Sequence, residues 1–137
     1  MCYANYCRSP VTEKILINRF SREFNFSSYG IDPLYKNKMD DRSISFLKSI
    51  NINEYEHIPK QINPSALKSA DIVFCMDHMV LAVMNQKYKK FSSKFKLINF
   101  KNPKIIIEDP YRHNNEDYEN NMRKIFTLCN ELEATDF

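Results

Sequence analysis

The sequence has no segment that is long and apolar enough to cross a bilayer, and its start has no basic region followed by an apolar stretch. We therefore expect a cytoplasmic protein with neither a membrane span nor a secretory signal. Four cysteines, at positions 2, 7, 75 and 129, show no repeated paired spacing. This pattern argues against a structural zinc site, and cytoplasmic cysteines are normally reduced. We expect no metal, and we also expect no cofactor.

Strong charge of one sign, internal repeats and low-complexity linkers are absent as well. The formal net charge is +3 on 137 residues, which is compatible with an anionic substrate but too small and too dispersed for nucleic acid binding. With 43% hydrophobic and 27% charged residues, the chain is long enough for one core but hardly for two. We expect a single domain that spans residues 1–137.

What the sequence does contain is a cysteine followed at a fixed distance by an Arg-Ser-Pro element. Five residues separate Cys2 from Arg8, and Ser9 and Pro10 follow. A phosphate is held best by converging backbone N–H groups, a helix N-terminus and a planar guanidinium that binds two oxygens. Ser9 suits an N-cap and Pro10 the first helical position, so a helix should begin here with its positive end facing the loop. Cys2 is thus a candidate nucleophile, although the spacing alone fits an unreactive cysteine equally well.

Helical and strand patterns alternate along the rest of the chain. The nearly unbroken apolar run from Asp71 to Met76 predicts a parallel strand that is covered on both faces. The predicted helices are Ser9–Phe24, Asp41–Ile50, a short one capped by Asn63-Pro64, 78–88 and Glu116–Glu133, and the predicted strands are Phe26–Tyr29, Asp71–Met76 and Phe95–Asn99. This order favours a parallel α/β sheet, in which ligands bind at the carboxyl ends of the strands.

The first ten residues resemble the signature loop of the low-molecular-weight protein tyrosine phosphatases, which reads Cys-x-Gly-Asn-x-Cys-Arg-Ser-Pro. The resemblance continues in the right order along nearly the whole chain. It includes Asp40-Asp41-Arg42-Ser43, His57-Ile58-Pro59-Lys60-Gln61, Ala70-Asp71-Ile72-Val73, Met76-Asp77 and Ile107-Glu108-Asp109-Pro110-Tyr111-Arg112. The Asp-Pro-Tyr element discriminates best, because two independent motifs at the expected separation rarely arise by chance. Its Asp-Pro-Tyr-Arg ending is similar to the bacterial branch associated with capsule and exopolysaccharide tyrosine kinases.

The resemblance implies a protein tyrosine phosphatase with a three-layer α/β/α fold and a doubly wound, parallel, four-stranded sheet. Cys2 would form a phosphocysteine intermediate, Arg8 would bind the phosphate, and Asp109 would act as general acid and base. The implied phosphate-binding loop comprises Tyr3, Ala4, Asn5, Tyr6, Cys7, Arg8 and Ser9. The implied substrate is a phosphotyrosine protein such as the tyrosine-rich tail of a cognate bacterial kinase.

Other residues match supporting positions of the same family. Ser28 and His57 correspond to the Ser and His that hold the loop Asn and Ser. Ala4 replaces a loop glycine, so a positive φ at that position would cost about 1 kcal/mol or more. Cys7 lies near Cys2 in such a loop, where reversible oxidation would join the two sulfurs; a buried small residue without redox role is an equally open interpretation.

Substrate choice should depend on the rim of the pocket. The candidate rim residues are Tyr3, Tyr6, Leu34, Tyr35 and Tyr111. A deep aromatic slot favours phosphotyrosine, because phosphoserine is too short to reach the thiolate; the alternative is that some of these tyrosines pack internally. Two relatives fit less well. Arginine phosphatases have threonine where this chain has Tyr6, and arsenate reductases need two further cysteines after the third strand, where Cys75 stands alone.

The sequence departs from the family at its start. The family places its first, central strand directly before the signature cysteine, whereas only Met1 precedes Cys2 here. Loss of that strand would expose two neighbouring edges and remove buried apolar surface, at about 25 cal/mol per Å². We expect the true start to lie upstream of Met1. The alternative is a truncated, inactive phosphotyrosine-binding or interaction protein, against which the intact Cys2, Arg8 and Asp109 argue.

Overall fold

A computed structural model describes residues 1–137, and helices dominate its secondary structure. The helices are α1 (Arg8–Phe20), α2 (Asp41–Ser49), α3 (Pro64–Ser69), α4 (His78–Lys87) and α5 (Asn115–Glu131). The strands are β1 (Val73–Cys75) and β2 (Phe95–Leu97), and two short 3₁₀ helices span Lys89–Lys94 and Ala134–Asp136. None of the helices is long and apolar enough to cross a membrane.

The sheet is parallel, as predicted. In the register of β1 and β2, Val73 lies opposite Phe95. The sheet continues beyond β1 as isolated parallel bridges, one from Cys2 to Gly30 and one from Gly30 to Gln61. The Met1–Cys2 backbone therefore lies between β1 on one side and the chain around Gly30 on the other.

The implied four-stranded sheet, with its first strand cut short, has only two regular strands, β1 and β2, and its other two positions are present as the bridges at Cys2, Gly30 and Gln61. The predicted strand Phe26–Tyr29 has no regular secondary structure: only the Tyr29 carbonyl pairs, with the Cys2 N–H at 3.4 Å, and the first bridge of this segment is at Gly30. The Met1–Cys2 segment holds the central position of the sheet and donates backbone hydrogen bonds to both neighbours, to Phe74 on one side and to Tyr29 on the other.

Helices cover both faces of the sheet, which gives the predicted three layers. Side chains of β1 alternate between two apolar cores, with Phe74 on one side and Val73 and Cys75 on the other. The larger core joins the sheet to α1, α2 and α5, and the smaller one joins it to α3 and α4. A parallel sheet buried in this way presents its carboxyl ends as the open edge at which loops can gather.

Most helix ends lie close to their predicted positions, because side-chain caps mark them. Asp40, Asn63, Asp77 and Asn114 each accept a hydrogen bond from a backbone N–H in the first turn of the helix that follows. The start of α1 is different: it begins at Arg8, after Cys7, with no side-chain cap. The prediction that Ser9 caps this helix is wrong, because the Ser9 hydroxyl is engaged in the loop described below. The helix also ends at Phe20 rather than Phe24.

Candidate active site

The loop from Cys2 to Ser9 lies at the carboxyl end of the sheet and closes on itself through buried side chains. The Sγ atom of Cys2 lies 3.0 Å from the hydroxyl of Ser9. Asn5 lies inside the loop with a φ of 50°, and its amide donates to the hydroxyls of Ser9 (3.0 Å) and Ser28 (2.9 Å). Asparagine tolerates this left-handed conformation better than most residues, so it turns the backbone without a glycine.

His57 supports the loop from outside, next to Lys60. The Asn5 side-chain oxygen accepts from the Lys60 N–H at 2.9 Å, and the His57 Nε2 lies 3.1 Å from both that oxygen and the Asn5 carbonyl. Both partners are acceptors, which assigns the proton to Nε2. Burial lowers the pKa of His57, and the nearby Glu13 carboxylate opposes this only in part. The imidazole is thus a neutral donor that fixes Asn5.

Gly30 lets a neighbouring segment approach the loop closely. A Cβ atom added to Gly30 would lie 2.8 Å from the Tyr3 carbonyl oxygen and 3.0 Å from Asn5 Cβ. The chain contains no other glycine. The Gly30 backbone therefore packs directly against the loop. Ala4, by contrast, does not have positive φ, so the strain expected there is absent: Asn5 takes the left-handed conformation instead.

Arg8 is a buried guanidinium held between two carboxylates. Its side chain lies 2.5 Å from an oxygen of Asp77 and 3.3 Å from an oxygen of Asp109. Burial alone would lower the pKa of Arg8, but the charges of Cys2, Asp109 and Asp77 raise it, so the group stays protonated. Asp77 also caps α4 by accepting from the Val80 N–H at 2.7 Å. Asp77 was predicted only as a member of a motif and not as part of the site; its place directly after a buried strand was the signal that could have identified it.

Asp109 reaches the site from the segment before α5, and Arg42 anchors that segment. The Arg42 guanidinium donates to the carbonyls of Tyr111 (3.0 Å) and His113 (2.9 Å) and forks onto Asp40 at 2.9 and 3.0 Å. Burial alone would raise the pKa of Asp40, but the hydrogen bonds from Arg42 outweigh it and lower the pKa. Arg42 was predicted only as a member of a motif, without a role. The structure shows that it connects α2 to the Asp109 segment.

These groups surround a cavity of about 460 Å³. All the rim residues expected from the sequence line it: Tyr3, Tyr6, Leu34, Tyr35 and Tyr111, joined by Asp32, Pro33 and Arg112. The Tyr6 and Tyr111 rings meet edge to face with centroids 5.9 Å apart, and Tyr35 is almost fully exposed. Cys2, Arg8 and Asp109 line the same cavity. The cavity therefore has polar groups at its base and aromatic rings at its mouth.

Cys7 lies behind the loop rather than in an electropositive setting. It is buried, and its Sγ lies 3.8 Å from a carboxylate oxygen of Asp40. Burial raises the pKa of this thiol to about 12, so it stays protonated at neutral pH. All four cysteines are reduced in the structure. No group of three or more His, Cys, Asp or Glu side chains is arranged to hold a metal ion.

Chemically, the base of this cavity is suited to a tetrahedral oxyanion. The loop N–H groups and the N-terminus of α1 supply partial positive charge, and the Arg8 guanidinium supplies a full one. A thiol, Cys2, and a carboxylate that is about half exposed, Asp109, face the same space. The combination offers a nucleophile, an anion clamp and a proton carrier within one pocket.

Comparison with known proteins agrees with this description. The chain is 29% identical to a rat low molecular weight phosphotyrosine protein phosphatase over 94% of its own length and 88% of that protein. It is 25% identical to the Salmonella typhi low molecular weight protein-tyrosine-phosphatase Wzb over 87% and 79% of the two chains. Its fold matches the arginine phosphatase YwlE from Geobacillus stearothermophilus with a TM-score of 0.86 at 21% identity, covering 94% and 84% of the two chains. The family model for low molecular weight phosphotyrosine protein phosphatases matches residues 1–135, so the chain belongs to that family of phosphatases and resembles its bacterial branch.

Proposed function

We propose that this protein hydrolyses phosphotyrosine in proteins through a phosphocysteine intermediate. The observation that carries the proposal is the convergence of Cys2, Arg8 and Asp109 on one cavity, with Arg8 and Asp109 only 3.3 Å apart. A protein that only bound phosphotyrosine would need the anion clamp but no carboxylate beside it.

In the first step, the Cys2 thiolate attacks phosphorus and the bond to the phenolic oxygen breaks. Ser9 lies 3.0 Å from the sulfur, and its hydroxyl stabilises the thiolate as a donor. Arg8 and the loop amides bind the three non-bridging oxygens, over which charge spreads in the transition state. Asp109, protonated at this stage, gives its proton to the departing phenolate.

In the second step, water hydrolyses the sulfur–phosphorus bond. The Asp109 carboxylate takes a proton from the attacking water, the oxygen bonds to phosphorus, and the Cys2 thiolate leaves. Inorganic phosphate is released and both groups return to their starting states. Asp77 keeps Arg8 aimed at the phosphate throughout, because it holds the guanidinium at 2.5 Å from the other side.

The mouth of the cavity supports an aromatic substrate. Tyr6, Tyr35 and Tyr111 line it, and their rings suit packing against the phenyl ring of phosphotyrosine. A serine phosphate on its shorter stem would leave phosphorus short of the Cys2 sulfur. We further propose that the protein acts in the cytoplasm on the tyrosine-rich tail of a cognate tyrosine kinase and so regulates exopolysaccharide synthesis. Support for this comes from the resemblance to the bacterial branch.

The test is hydrolysis of p-nitrophenyl phosphate and of three peptides that carry phosphotyrosine, phosphoserine or phosphoarginine. We expect turnover of p-nitrophenyl phosphate and the phosphotyrosine peptide only, and a phosphorylated Cys2 in acid-quenched samples. Cys2→Ser should abolish both the turnover and the phosphorylated cysteine. Cys75→Ala is the matched control, because it removes a buried thiol outside the cavity.

Other outcomes would change the proposal in defined ways. Preference for phosphoarginine would keep the mechanism and replace the substrate class. A folded protein without turnover of any substrate, which still bound phosphotyrosine peptide, would favour the binding-protein alternative. Activity retained in Cys2→Ser would exclude the covalent mechanism.

A further inference from the structure

The proposed general acid, Asp109, lies in a segment without regular secondary structure. None of residues 106–112 belongs to a helix or strand, and their only backbone–backbone hydrogen bond runs from the His113 N–H to the Pro110 carbonyl at 3.0 Å. A functional group on an irregular segment is held only as well as the contacts around that segment hold it. The position of the acid therefore depends on the side chains that attach this segment to the rest of the protein.

One such side chain is Asn121, which is buried on α5. Its side-chain oxygen accepts a hydrogen bond from the Glu108 N–H at 3.0 Å, and Glu108 directly precedes Asp109. Its amide nitrogen donates to the Asp117 carbonyl at 3.0 Å, one helical turn back. Each end of the amide thus has a partner of the opposite kind, and this pairing fixes the orientation of the side chain.

The surroundings of Asn121 do not otherwise favour an asparagine. The residue is 3% exposed, and Met122 and Ile125 are buried beside it on α5. An amide in such a place destabilises the protein unless its hydrogen bonds are made, and asparagine forms helices less readily than leucine does. A leucine would suit both the helix and its core. What the asparagine contributes is therefore the hydrogen bond to the segment of Asp109.

Asn121 and Arg42 attach this segment on the two sides of Asp109. Asn121 holds the backbone one residue before the acid, and Arg42 holds the carbonyls two and four residues after it. The Arg42 guanidinium in turn lies 3.9 Å from the centre of the Tyr118 ring, which α5 buries one turn before Asn121. Both attachments therefore depend on the first turns of α5.

The Asp109 carboxylate has little else to fix it. One of its oxygens lies 3.3 Å from Arg8 and the other accepts from the Tyr111 N–H at 3.3 Å, while about half of the side chain is exposed. Proton transfer needs the donor and acceptor oxygens within about 2.6–3.2 Å of each other. Displacement of a catalytic group by about 1 Å costs up to about 10²-fold in rate. A shift of the Glu108 backbone would therefore be felt in the chemical step.

We propose that Asn121 is a positioning residue for Asp109: by holding the Glu108 N–H, it sets the carboxylate at the distance from the leaving-group oxygen at which a proton passes. This role rests on the proposed general-acid function of Asp109. Asn121 does not line the cavity and touches neither the phosphate loop nor the space for the substrate. Its replacement should therefore impair protonation of the leaving group and leave phosphate binding as it is.

The test compares Asn121→Leu with Asn120→Leu. Leucine has the same branched side-chain skeleton as asparagine but cannot make a hydrogen bond. Asn120 is the neighbouring asparagine and is exposed, so the same substitution there is the matched control. Circular dichroism shows whether each variant is folded. If Asn121→Leu is not, Asn121→Ala removes the same amide without added bulk and has the same expected results.

The first measurement is kcat/KM for phenyl phosphate and for p-nitrophenyl phosphate. Phenol is a weaker acid than p-nitrophenol, so its departure depends more on a donated proton. Asn121→Leu should lower kcat/KM for phenyl phosphate about tenfold or more, and that for p-nitrophenyl phosphate by a smaller factor. The inhibition constant of inorganic phosphate should stay unchanged. Asn120→Leu should match wild type in all of these values.

The second measurement is hydrogen exchange at the Glu108 amide, which does not depend on turnover. This amide should exchange slowly in wild type and in Asn120→Leu, and faster in Asn121→Leu, because its acceptor is lost. The amide of Ile125, inside α5, should stay protected in all of them and so report that the helix is intact.

Several results would overturn the proposal. An equal fall in kcat/KM for the two phosphates, or a raised inhibition constant of phosphate, would mean a general disturbance rather than a displaced acid. Unchanged exchange at Glu108 in Asn121→Leu would mean that other contacts hold the segment. Wild-type kinetics in Asn121→Leu, with the loss in Asp109→Ala retained, would remove the role of Asn121 and leave the proposed function intact. Wild-type protein that hydrolyses neither phosphate would overturn the proposed function and the role of Asn121 together.

Discussion

Asp109 is the residue whose replacement separates the two halves of the proposed mechanism. It lies 3.3 Å from Arg8, and its side chain is 53% exposed, so it can reach a leaving group at the mouth of the cavity. Asp109→Ala should lower kcat by about 10²–10⁴-fold on phenyl phosphates. The loss should be greatest for poorly acidic phenols, because these depend most on a donated proton.

The measurement is kcat against the pKa of a series of substituted phenols. Asp32→Ala is the control, since it removes a second carboxylate from the lining of the same cavity. If kcat depended on the pKa of the phenol equally weakly in wild type and in Asp109→Ala, the general-acid role of Asp109 would be contradicted. If kcat depended steeply on the pKa of the phenol in Asp32→Ala and not in Asp109→Ala, Asp32 would be the general acid.

Gly30 carries a prediction about packing rather than chemistry. An added Cβ would lie 2.8 Å from the Tyr3 carbonyl, a backbone atom that cannot move without shifting the loop. Gly30→Ala should therefore destabilise the protein by about 1–3 kcal/mol and weaken phosphate binding. Chemical denaturation and phosphate titration measure the two effects, with Ala4→Gly as a control in the loop itself. Wild-type stability in Gly30→Ala would mean that the loop is more compliant than this packing indicates.

At the scale of elements, Arg42 connects α2 to the segment that carries Asp109. Arg42→Lys keeps the charge but loses the fork onto Asp40 and the paired bonds to the carbonyls of Tyr111 and His113. We expect kcat to fall about tenfold or more while KM for p-nitrophenyl phosphate changes little, because the phosphate loop is untouched. Arg123→Lys is the control, since Arg123 is exposed on α5 and bonds only to Glu119. A raised KM with unchanged kcat would contradict the positioning role.

The sequence predicted elements well where local chemistry decides them. Asn63-Pro64 marks the start of α3 and Asp40 that of α2, since capping residues act within one turn. The start of α1 was predicted incorrectly because Ser9 had two possible partners, and the tertiary contact with Cys2 and Asn5 replaced the cap. Arg42 and Asp77 could be quoted as motif members but not given roles. The partners that give them a role in the site, Tyr111 for Arg42 and Arg8 for Asp77, each lie 69 residues away, a separation that only the fold closes.

At the scale of the whole molecule, pairing between distant segments decides how much regular sheet forms. The apolar run at Asp71–Met76 was predicted as a strand, yet only Val73–Cys75 is regular, and in the predicted strand Phe26–Tyr29 only the Tyr29 carbonyl accepts a backbone hydrogen bond, from the Cys2 N–H. Such pairing joins residues that are far apart in the sequence, so the local apolar pattern located these strands but could not set their limits.

The stability of the whole molecule should depend on His57 below neutral pH. Burial lowers the pKa of His57 from the ordinary value of 6.5, so the unfolded chain takes up this proton before the folded one does. Above pH 6.5 both states are neutral and the group has no effect. As the pH falls through 6.5 towards the folded pKa, the free energy of unfolding decreases, by about 1.4 kcal/mol for each unit between the two pKa values.

His57→Gln keeps a donor towards Asn5 but cannot titrate, so it should flatten this part of the profile, whereas His78→Gln, on the exposed side of α4, should leave it unchanged. Urea unfolding at intervals between pH 5 and pH 8 measures the profile. Identical profiles for wild type and His57→Gln would mean that protonated His57 is accommodated in the folded loop.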